Sequence, residues 1–271
     1  QVTITERQMG LDQPPIFNLY LNGRLQFSSA DEHIYHSYLV TPSMAASARN
    51  DNVLIIGGGD GLALRDVLRW SPEHVTLVDL DEQLIKLFQD PHSYLSASLA
   101  HQVSSLNDGS LTDERVELIF ADAFIAIDDL IKQNRTYDTI IVDLPDPSHP
   151  DLNKLYSVTF YAKLKQLLSS DGAMTVQSTS PYHAKSAFVA IGQTIKAAEF
   201  SGVSQYHDNI PSFGEWGWTI ATKTGASPKQ RLQNLDKLPP FEPWLTLPLL
   251  MASFEFSHEY FKNKETTPIN Y

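Results

Sequence analysis

The sequence predicts an α/β fold with a doubly wound parallel sheet, and three observations support this prediction. Apolar runs typical of buried strands occur at residues 53–56, 75–80, 116–120, 138–143 and 173–178. Helical patterns lie between these runs, including residues 157–168 and 184–198. A glycine-rich turn follows the first run directly, and a helical pattern follows the turn. Strands that alternate with helices in this way form a parallel sheet covered by helices on both faces.

The chain divides into three predicted regions. Residues 1–42 contain two strand-like runs, and the Asn22-Gly23 pair after the second run is a strong hairpin signal, so this region predicts a small β-hairpin domain. Residues 43–225 form the predicted Rossmann-like domain, which takes its late strands from residues 210–222. Residues 226–271 are rich in proline and predict an irregular tail.

The glycine-rich turn has the sequence Gly57-Gly58-Gly59-Asp60-Gly61. Glycines at such a turn let the backbone bend tightly and approach a ligand without a Cβ in the way. A strand, a glycine turn and a helix in this order open a nucleotide-binding βαβ unit. Asp60 is unusual in this place because a carboxylate repels phosphate. The loop therefore favours a ligand that has a positive charge near Asp60.

A second acidic position follows at the end of the next strand. Asp79 lies 20 residues after Gly59, which is the spacing at which an acid binds the ribose hydroxyls in nucleotide folds. The pair of motifs predicts adenosine without a phosphate tail as the ligand. In the alternative interpretation the acid only caps the next helix, and Asp81 could serve that purpose equally well.

Further carboxylates are predicted at the same edge of the sheet. Asp122 ends the third strand, and the fourth strand runs into Asp143 and Asp146. Ligands of open α/β sheets bind outside the carboxyl ends of the strands, so these acids should face the same crevice as Asp60 and Asp79. The alternative is a proline-rich turn with aspartate caps. Because one adenosine cannot use all of these carboxylates, the surplus predicts a polycationic co-substrate.

Composition excludes several classes of function. The 271 residues have a formal net charge of −12, which argues against nucleic acid or an anionic membrane surface as a direct partner. The absence of cysteine excludes a disulfide scaffold, a zinc–thiolate site and thiol catalysis. His33, His149 and His207 show no metal-ligand spacing, so no metal site is predicted.

Taken together, the motifs resemble those of the polyamine aminopropyltransferase family, of which spermidine synthase is the best-known member. The matching segments are Gln26 with residues 31–36, the loop 57–61, residues 78–81, Asp122-Ala123, residues 143–147, 155–157, 160–161, Gln177 and residues 210–213. The resemblance reaches to about residue 224. Variants such as Gln177-Ser-Thr-Ser-Pro181 are similar to a bacterial subgroup in which the synthase domain follows a block of membrane helices.

The resemblance implies a role for each matching residue. Asp143 corresponds to the proton acceptor of the family. The contacts to the amine substrate correspond to Tyr35, His36, Asp60 and Asp146. The contacts to the nucleoside part of the other substrate correspond to Gln1, Gln26, Gly57, Gly58, Gly59, Asp79, Asp122, Ala123 and Pro150.

The resemblance also implies an activity. The family transfers the aminopropyl group of decarboxylated S-adenosylmethionine to a diamine, most often putrescine, and releases methylthioadenosine without a metal or a permanently bound cofactor. It implies a fold like that of the class I methyltransferases, a homodimer, and a cytoplasmic domain whose parent protein lies in the bacterial inner membrane. Two alternatives stay open from the residues alone. They are a methyltransferase that uses S-adenosylmethionine itself and a non-catalytic domain that binds polyamines or nucleosides.

Three positions depart from the pattern of the family. The glutamate expected after Tyr35-His36 is Ser37, which predicts the loss of a carboxylate near the amine pocket. The tyrosine expected near residue 213 is Phe213, and Glu215 is the predicted compensation. Asp79 stands where a glutamate is more usual. These changes leave the acceptor open between putrescine, cadaverine and a longer amine.

Overall fold

The N-terminal region forms a three-stranded antiparallel sheet in the order β1-β2-β3. A computed structural model describes residues 1–10, 13, 15–147, 150–262 and 267–270. The strands are β1 (Val2–Arg7), β2 (Ile16–Leu21) and β3 (Arg24–Ser28). Asn22 and Gly23 connect β2 to β3 with φ angles of 51° and 78°, the left-handed conformations that a tight hairpin turn needs. The hairpin at this pair agrees with the sequence prediction.

A long helix, α1 (Glu32–Ala46), follows this sheet. The predicted boundary at residue 42 lies inside this helix, which the sequence pattern did not indicate. Apolar and polar side chains are buried on every side of α1, so no apolar stripe with helical spacing marks it in the sequence. The helix connects the small sheet to the large one. It packs against strands of the large sheet and against helices that lie on that sheet.

The large sheet has seven strands in the order β6-β5-β4-β7-β8-β10-β9 among the residues described. The parallel part contains β4 (Asn52–Gly57), β5 (His74–Asp79), β6 (Val116–Phe120), β7 (Tyr137–Asp143) and β8 (Leu168–Gln177). The antiparallel strands β9 (Gly202–Ile210) and β10 (Gly214–Thr222) complete it. The predicted α/β class is confirmed, but the late strands differ from the prediction. Only β10 lies within residues 210–222, and β9 precedes it.

Helices cover both faces of this sheet and enclose two hydrophobic clusters, one on each side. They are α2 (Leu62–Leu68), α3 (Glu82–Gln89), α4 (Ala97–Asn107), α5 (Ala123–Lys132), α6 (Val158–Leu167) and α7 (Lys185–Ala197). Short 3₁₀ helices occur at Pro91–Ser93, Ser110–Thr112 and Pro150–Tyr156. The predicted irregular tail contains two short helices, α8 (Pro228–Gln233) and α9 (Leu247–Ala252). In the described part of the chain, no helix has the length and apolar character needed to cross a membrane.

The order of the strands fixes the position of the crevice. From β4 the chain builds outward through β5 to β6, and then returns to place β7 on the other side of β4. The direction of winding therefore reverses between β4 and β7. In open α/β sheets, such a switch point leaves a crevice at the carboxyl ends of the two strands, and ligands bind there.

Candidate active site

A cavity of about 680 Å³ opens at this switch point. Nearly all of the predicted site residues line it, namely Gln26, Tyr35, His36, Gly57, Gly58, Gly59, Asp60, Asp79, Asp122, Ala123, Asp143 and Asp146. Two do not. Gln1 is exposed at the start of β1, where its ammonium group donates to Asn22 Oδ1 at 2.7 Å. Pro150 begins a 3₁₀ helix, and its side chain lies outside the described part of the structure. Among the described residues, no cluster of three or more acidic or histidine side chains is arranged to hold a metal ion.

The glycine loop is held between the ends of β5 and β7. Gly57 has a φ of 82°, and a Cβ at this position would lie 2.1 Å from the backbone oxygen of Asp143. Gly57 is the last residue of β4 and Asp143 is the last residue of β7. Only glycine allows these two strands to approach so closely. On the other side of the loop, the Gly59 amide donates to Asp79 Oδ2 at 3.0 Å. The loop thus joins two of the predicted acids into one rigid edge of the cavity.

Asp79 and Asp81 have separate roles. Asp81 accepts a hydrogen bond from the Leu84 amide at 3.0 Å and caps α3. Asp79 lies at the end of β5, accepts from the amides of Gly59 and Asp81, and lines the cavity. Burial raises its pKa above the usual range for an aspartate. Because Asp81 supplies the helix cap, Asp79 is available to receive the hydroxyl groups of a ligand.

A slot with few polar groups lies next to Asp79. Asp122 caps α5 by accepting from the Phe124 amide at 2.9 Å, and its second oxygen forms an ion pair with Lys154. The Lys154 ammonium also lies 5.9 Å from the centre of the Phe124 ring. Ala121, Ala123 and Leu152 line the same part of the cavity. This combination of an apolar wall, an acceptor and a donor suits a heterocyclic base. No motif in the sequence pointed to Lys154.

Asp143 lies at the centre of the cavity and accepts a hydrogen bond from the Tyr35 hydroxyl at 2.6 Å. Burial raises the pKa of Asp143 above its usual range, while the charge of His36 and the bond from Tyr35 oppose this rise. A carboxylate with a raised pKa is a better proton acceptor than one in water. Its carboxylate therefore lies between the glycine loop and Tyr35 of α1.

Asp60 is a second partly buried carboxylate close to Asp143. Its Oδ1 atom accepts from the Leu62 amide at 2.9 Å. Burial raises the pKa of Asp60 to about 6, because removal from water and the nearby charge of Asp143 outweigh the opposing charge of His36. The side chain is therefore mostly ionised at neutral pH and would gain from a cation in the cavity.

His36 is held by a buried ion-pair network that the sequence analysis missed. Its Nδ1 atom donates to the Glu32 carboxylate at 2.8 Å, and Glu32 also accepts two bonds from Arg65 at 2.9 and 3.1 Å. Burial lowers the pKa of His36, but the bond and charge of Glu32 outweigh it and raise the pKa to about 9. The imidazolium charge then keeps Asp60 and Asp143 more acidic than burial alone would. The spacing of four residues between Glu32 and His36 was the signal available in the sequence.

The loop after β7 is fixed by Gln177. Its Nε2 atom donates to the Leu144 carbonyl at 2.7 Å and to Asp146 Oδ1 at 3.2 Å. Burial raises the pKa of Asp146, and the bonds from Gln177 and Thr179 oppose this rise. Tyr156 is buried beneath the loop and donates to the Pro145 carbonyl at 2.9 Å. Asp146 is therefore oriented by side chains from β8 rather than left free on a loop.

The end of the cavity nearest α1 is aromatic. Tyr35, Phe213 and Trp216 line it, and the Tyr35 ring centre lies 6.1 Å from that of Phe213. The turn between β9 and β10 is attached to the start of α1, because Ser212 donates to the Asp31 carboxylate through its amide at 2.6 Å and its hydroxyl at 2.8 Å. The residues that close this end are therefore joined to one another through α1.

Two interpretations of the departures from the family pattern were wrong. Ser37 does not face the amine pocket, since its hydroxyl donates to Glu242 of the tail at 2.7 Å. Glu215 does not compensate for Phe213, because it points to the opposite face of β10 and pairs with His207. Neighbouring side chains of a strand alternate between faces, so Trp216, and not Glu215, lines the cavity.

Comparisons with known sequences give a consistent result. A family model for the spermine/spermidine synthase domain matches residues 32–234. The polyamine aminopropyltransferase of Shewanella oneidensis is 56% identical over 263 residues, which cover 97% of this chain and 46% of that protein. The polyamine aminopropyltransferase of Oceanobacillus iheyensis is 39% identical over 224 residues, or 82% of this chain and 40% of that protein. The chain thus spans slightly less than half the length of these two curated relatives.

Solved structures with the same fold are similar over most of the chain. A spermidine synthase crystallised in complex with the transition-state analogue AdoDATO matches with a TM-score of 0.75 at 24% identity, covering 94% of this chain and 85% of that one. The spermidine synthase of Thermotoga maritima matches with a TM-score of 0.72 at 24% identity, covering 94% of this chain and 84% of that one. At this level of identity the likeness shows the fold.

Proposed function

The chain belongs to the spermine/spermidine synthase family, and from this premise we propose that it is an aminopropyltransferase. It would move the aminopropyl group of decarboxylated S-adenosylmethionine to a diamine, with putrescine as the expected acceptor. The products would be spermidine and methylthioadenosine. The observation that supports this most is the position of Asp143, which lies between a nucleoside-type end and an amine-type end of one acidic cavity.

The nucleoside would occupy the end built by the parallel strands. Asp79 would accept from the ribose hydroxyls, since its oxygens face the cavity beside the Gly59 amide. The slot at Asp122 and Lys154 would receive the adenine, whose edge offers both a donor and an acceptor. In this pose the sulfonium lies near the glycine loop, where no phosphate group has to be accommodated.

Asp60 would pair with the ammonium of the aminopropyl group. At the tip of the glycine loop, its negative charge would face the position at which ordinary S-adenosylmethionine has a carboxylate. The substrate without that carboxylate is therefore favoured by attraction, and the common one is disfavoured by repulsion. The raised pKa of about 6 leaves this carboxylate ionised at neutral pH.

Asp143 and Asp146 would hold the acceptor. The neutral amine nitrogen forms a bond to the propyl carbon beside the sulfonium, and the carbon–sulfur bond breaks with both electrons going to sulfur. The new ammonium then releases one proton, for which Asp143 is the nearest acceptor. The primary ammonium of the acceptor has a pKa of about 10, which lies above that of Asp143 even though burial raises the pKa of this carboxylate. Asp143 therefore assists mainly by orienting the amine and by accepting its proton late in the reaction.

The cavity supports this reaction over the two alternatives. Methyl transfer from S-adenosylmethionine needs no site for a propylammonium, and Asp60 would repel the carboxylate of that substrate. A domain that only binds polyamines would not need a partly buried tyrosine–aspartate hydrogen bond of 2.6 Å between the two ends of the cavity. Homodimer formation, a membrane region in the parent protein and a cytoplasmic location of this domain remain predictions that rest on the resemblance.

Release of methylthioadenosine tests the proposal directly. The protein is incubated with decarboxylated S-adenosylmethionine and putrescine, cadaverine, spermidine or no amine, and the products are separated by chromatography. We expect release that depends on the amine and falls at least about 100-fold in Asp143→Asn. Asp128→Asn is the matched control, because Asp128 is a partly exposed aspartate that pairs with Lys163 at 2.8 Å outside the cavity. Nucleoside binding without release for any amine would contradict the proposal.

A further inference from the structure

The tail beyond β10 packs closely against α1. The Phe241 ring lies 5.4 Å from that of Trp70, and the Trp244 ring lies 5.5 Å from that of His33 at the start of α1. Leu245 and Leu250 are buried within the main hydrophobic cluster. The segment from 241 to 250 is therefore part of the folded domain and covers one side of α1.

Glu242 is the polar centre of this contact. Its Oε1 atom accepts from the Ser37 hydroxyl at 2.7 Å and from the amides of Trp244 and Leu245 at 2.9 and 3.0 Å. Its Oε2 atom accepts from the Thr41 hydroxyl. Ser37 and Thr41 are 1% and 2% exposed, so water cannot replace the carboxylate as their partner. A carboxylate with four donors, two of them buried, is strongly fixed.

The contacts of Glu242 belong to one stripe of α1. Residues 33, 37 and 41 are four apart and lie on the same face of the helix. A second face is held by the buried ion pair between Glu32 and Arg65, and a third by the hydrogen bond from Tyr38 to Asp208. The tail thus supplies one of several polar attachments of α1 among the described residues, and these attachments on different faces oppose rotation of the helix about its axis.

We propose that Glu242 is a positioning residue, which sets the rotation of α1 and so holds Tyr35 and His36 toward Asp143. This inference rests on the proposed function for its kinetic consequence only. A rotation of about 7° displaces an atom roughly 8 Å from the helix axis by about 1 Å. Misplacement of a substrate-positioning group by about 1 Å can cost roughly 100-fold in rate. Loss of one of several attachments should have a smaller effect, of about 10-fold.

The test compares Glu242→Gln with Glu255→Gln. Glu255 belongs to the same tail, but its side chain pairs with Lys229 at 2.6 Å and is 73% exposed. The number of competent sites is first counted by titration with methylthioadenosine, and kcat is expressed per competent site. For E242Q we expect kcat to fall about 10-fold, the Kd of methylthioadenosine to stay within twofold, and hydrogen exchange in residues 32–46 to become faster. E255Q should match the wild type in all three.

A cycle with Ser37→Ala separates positioning from general destabilisation. Because both changes act through the same contact, the double variant should lose little more than E242Q alone. Equal kcat per site and equal exchange in E242Q and E255Q would overturn the proposal, as would additive losses in the cycle. If E242Q does not fold, S37A removes one of the four bonds and should show smaller changes in the same direction. If the wild type turns over no amine, the proposed function fails, and the exchange measurement alone decides the role of Glu242.

Discussion

Removal of the Tyr35 hydroxyl is the sharpest test of the site. Tyr35→Phe keeps the ring and its packing but deletes the 2.6 Å hydrogen bond to Asp143. A hydrogen bond to a charged group contributes about 2 kcal/mol, which corresponds to roughly 30-fold in kcat/KM for the amine. The bond also holds down the pKa of Asp143, so its loss should raise that pKa further.

The assay measures methylthioadenosine release over a range of pH with the amine below its KM. We expect Y35F to lose about 30-fold in kcat/KM, and its activity to begin at a higher pH than in the wild type, because Asp143 then ionises later. Tyr38→Phe is the matched control. Tyr38 is on the same helix and also donates to an aspartate, Asp208, but it does not line the cavity. Its variant should lose stability and keep the pH profile.

The result that refutes this reasoning is simple to recognise. If Y35F stays within about threefold of the wild type and its pH profile does not move, the hydrogen bond to Asp143 has no role in orienting the amine or tuning the carboxylate. A pH shift in Y38F as large as that in Y35F would also refute it, since the effect would then come from α1 as a whole.

Three further predictions follow from the same geometry. In the wild type, donor affinity should rise as pH increases through about 6, and Asp60→Asn should abolish this rise. The same change should weaken the preference for the decarboxylated donor over S-adenosylmethionine, which is measured by comparing their inhibition constants. Gly57→Ala should abolish activity and lower Tm sharply because its Cβ meets the Asp143 backbone at 2.1 Å, whereas Gly23→Ala, with nothing within 4 Å, should cost about 1 kcal/mol in chemical denaturation. The pKa of His36 is raised from 6.5 to about 9 in the folded state, so its contribution to stability is present below pH 6.5 and lost as pH rises to 9. Thermal unfolding should show this loss, and His36→Gln should reduce it.

Each of these has a contradicting outcome. An unchanged pH dependence of donor binding in D60N would remove Asp60 from donor recognition. Equal losses of stability in G57A and G23A would mean that the positive φ angle, rather than contact of the added Cβ with β7, makes glycine necessary at position 57. A wild-type Tm that is constant between pH 6.5 and 9 would show that His36 does not gain its proton affinity from folding.

The sequence predicted the parallel part of the fold and most of the cavity. Local motifs were sufficient there, because a strand followed by a glycine loop or an acid has a fixed place at the edge of the sheet. The helix α1 was missed, since burial on all sides leaves no amphipathic pattern. The pairing of Glu32 with Arg65 was also missed, because it joins residues 33 positions apart in the chain.

The direction in which a side chain points was the second feature that the sequence could not predict. Whether Glu215 or Trp216 faces the cavity depends on where β10 begins, and a shift of one residue reverses every side chain of a strand. Ser37 raised the same problem on a helix, where each residue is turned by about 100° from the last. Its neighbour His36 lines the cavity while Ser37 contacts the tail. Contacts of this kind depend on tertiary packing and leave no local trace.

Under the proposed function, the nucleoside end and the amine end of the cavity differ in how freely they can change. The nucleoside end includes strand ends whose backbones lie against each other, as at Gly57 of β4 and Asp143 of β7, so a substitution in one strand disturbs the other. The amine end is closed by residues 211–216 and by α1, joined through the pair of bonds between Ser212 and Asp31. Changes in the length or composition of this turn would therefore alter which amine binds as the acceptor. They would leave recognition of the donor, decarboxylated S-adenosylmethionine, undisturbed. If the chain transfers aminopropyl groups as proposed, this turn is the place to begin in redesigning it for longer polyamines.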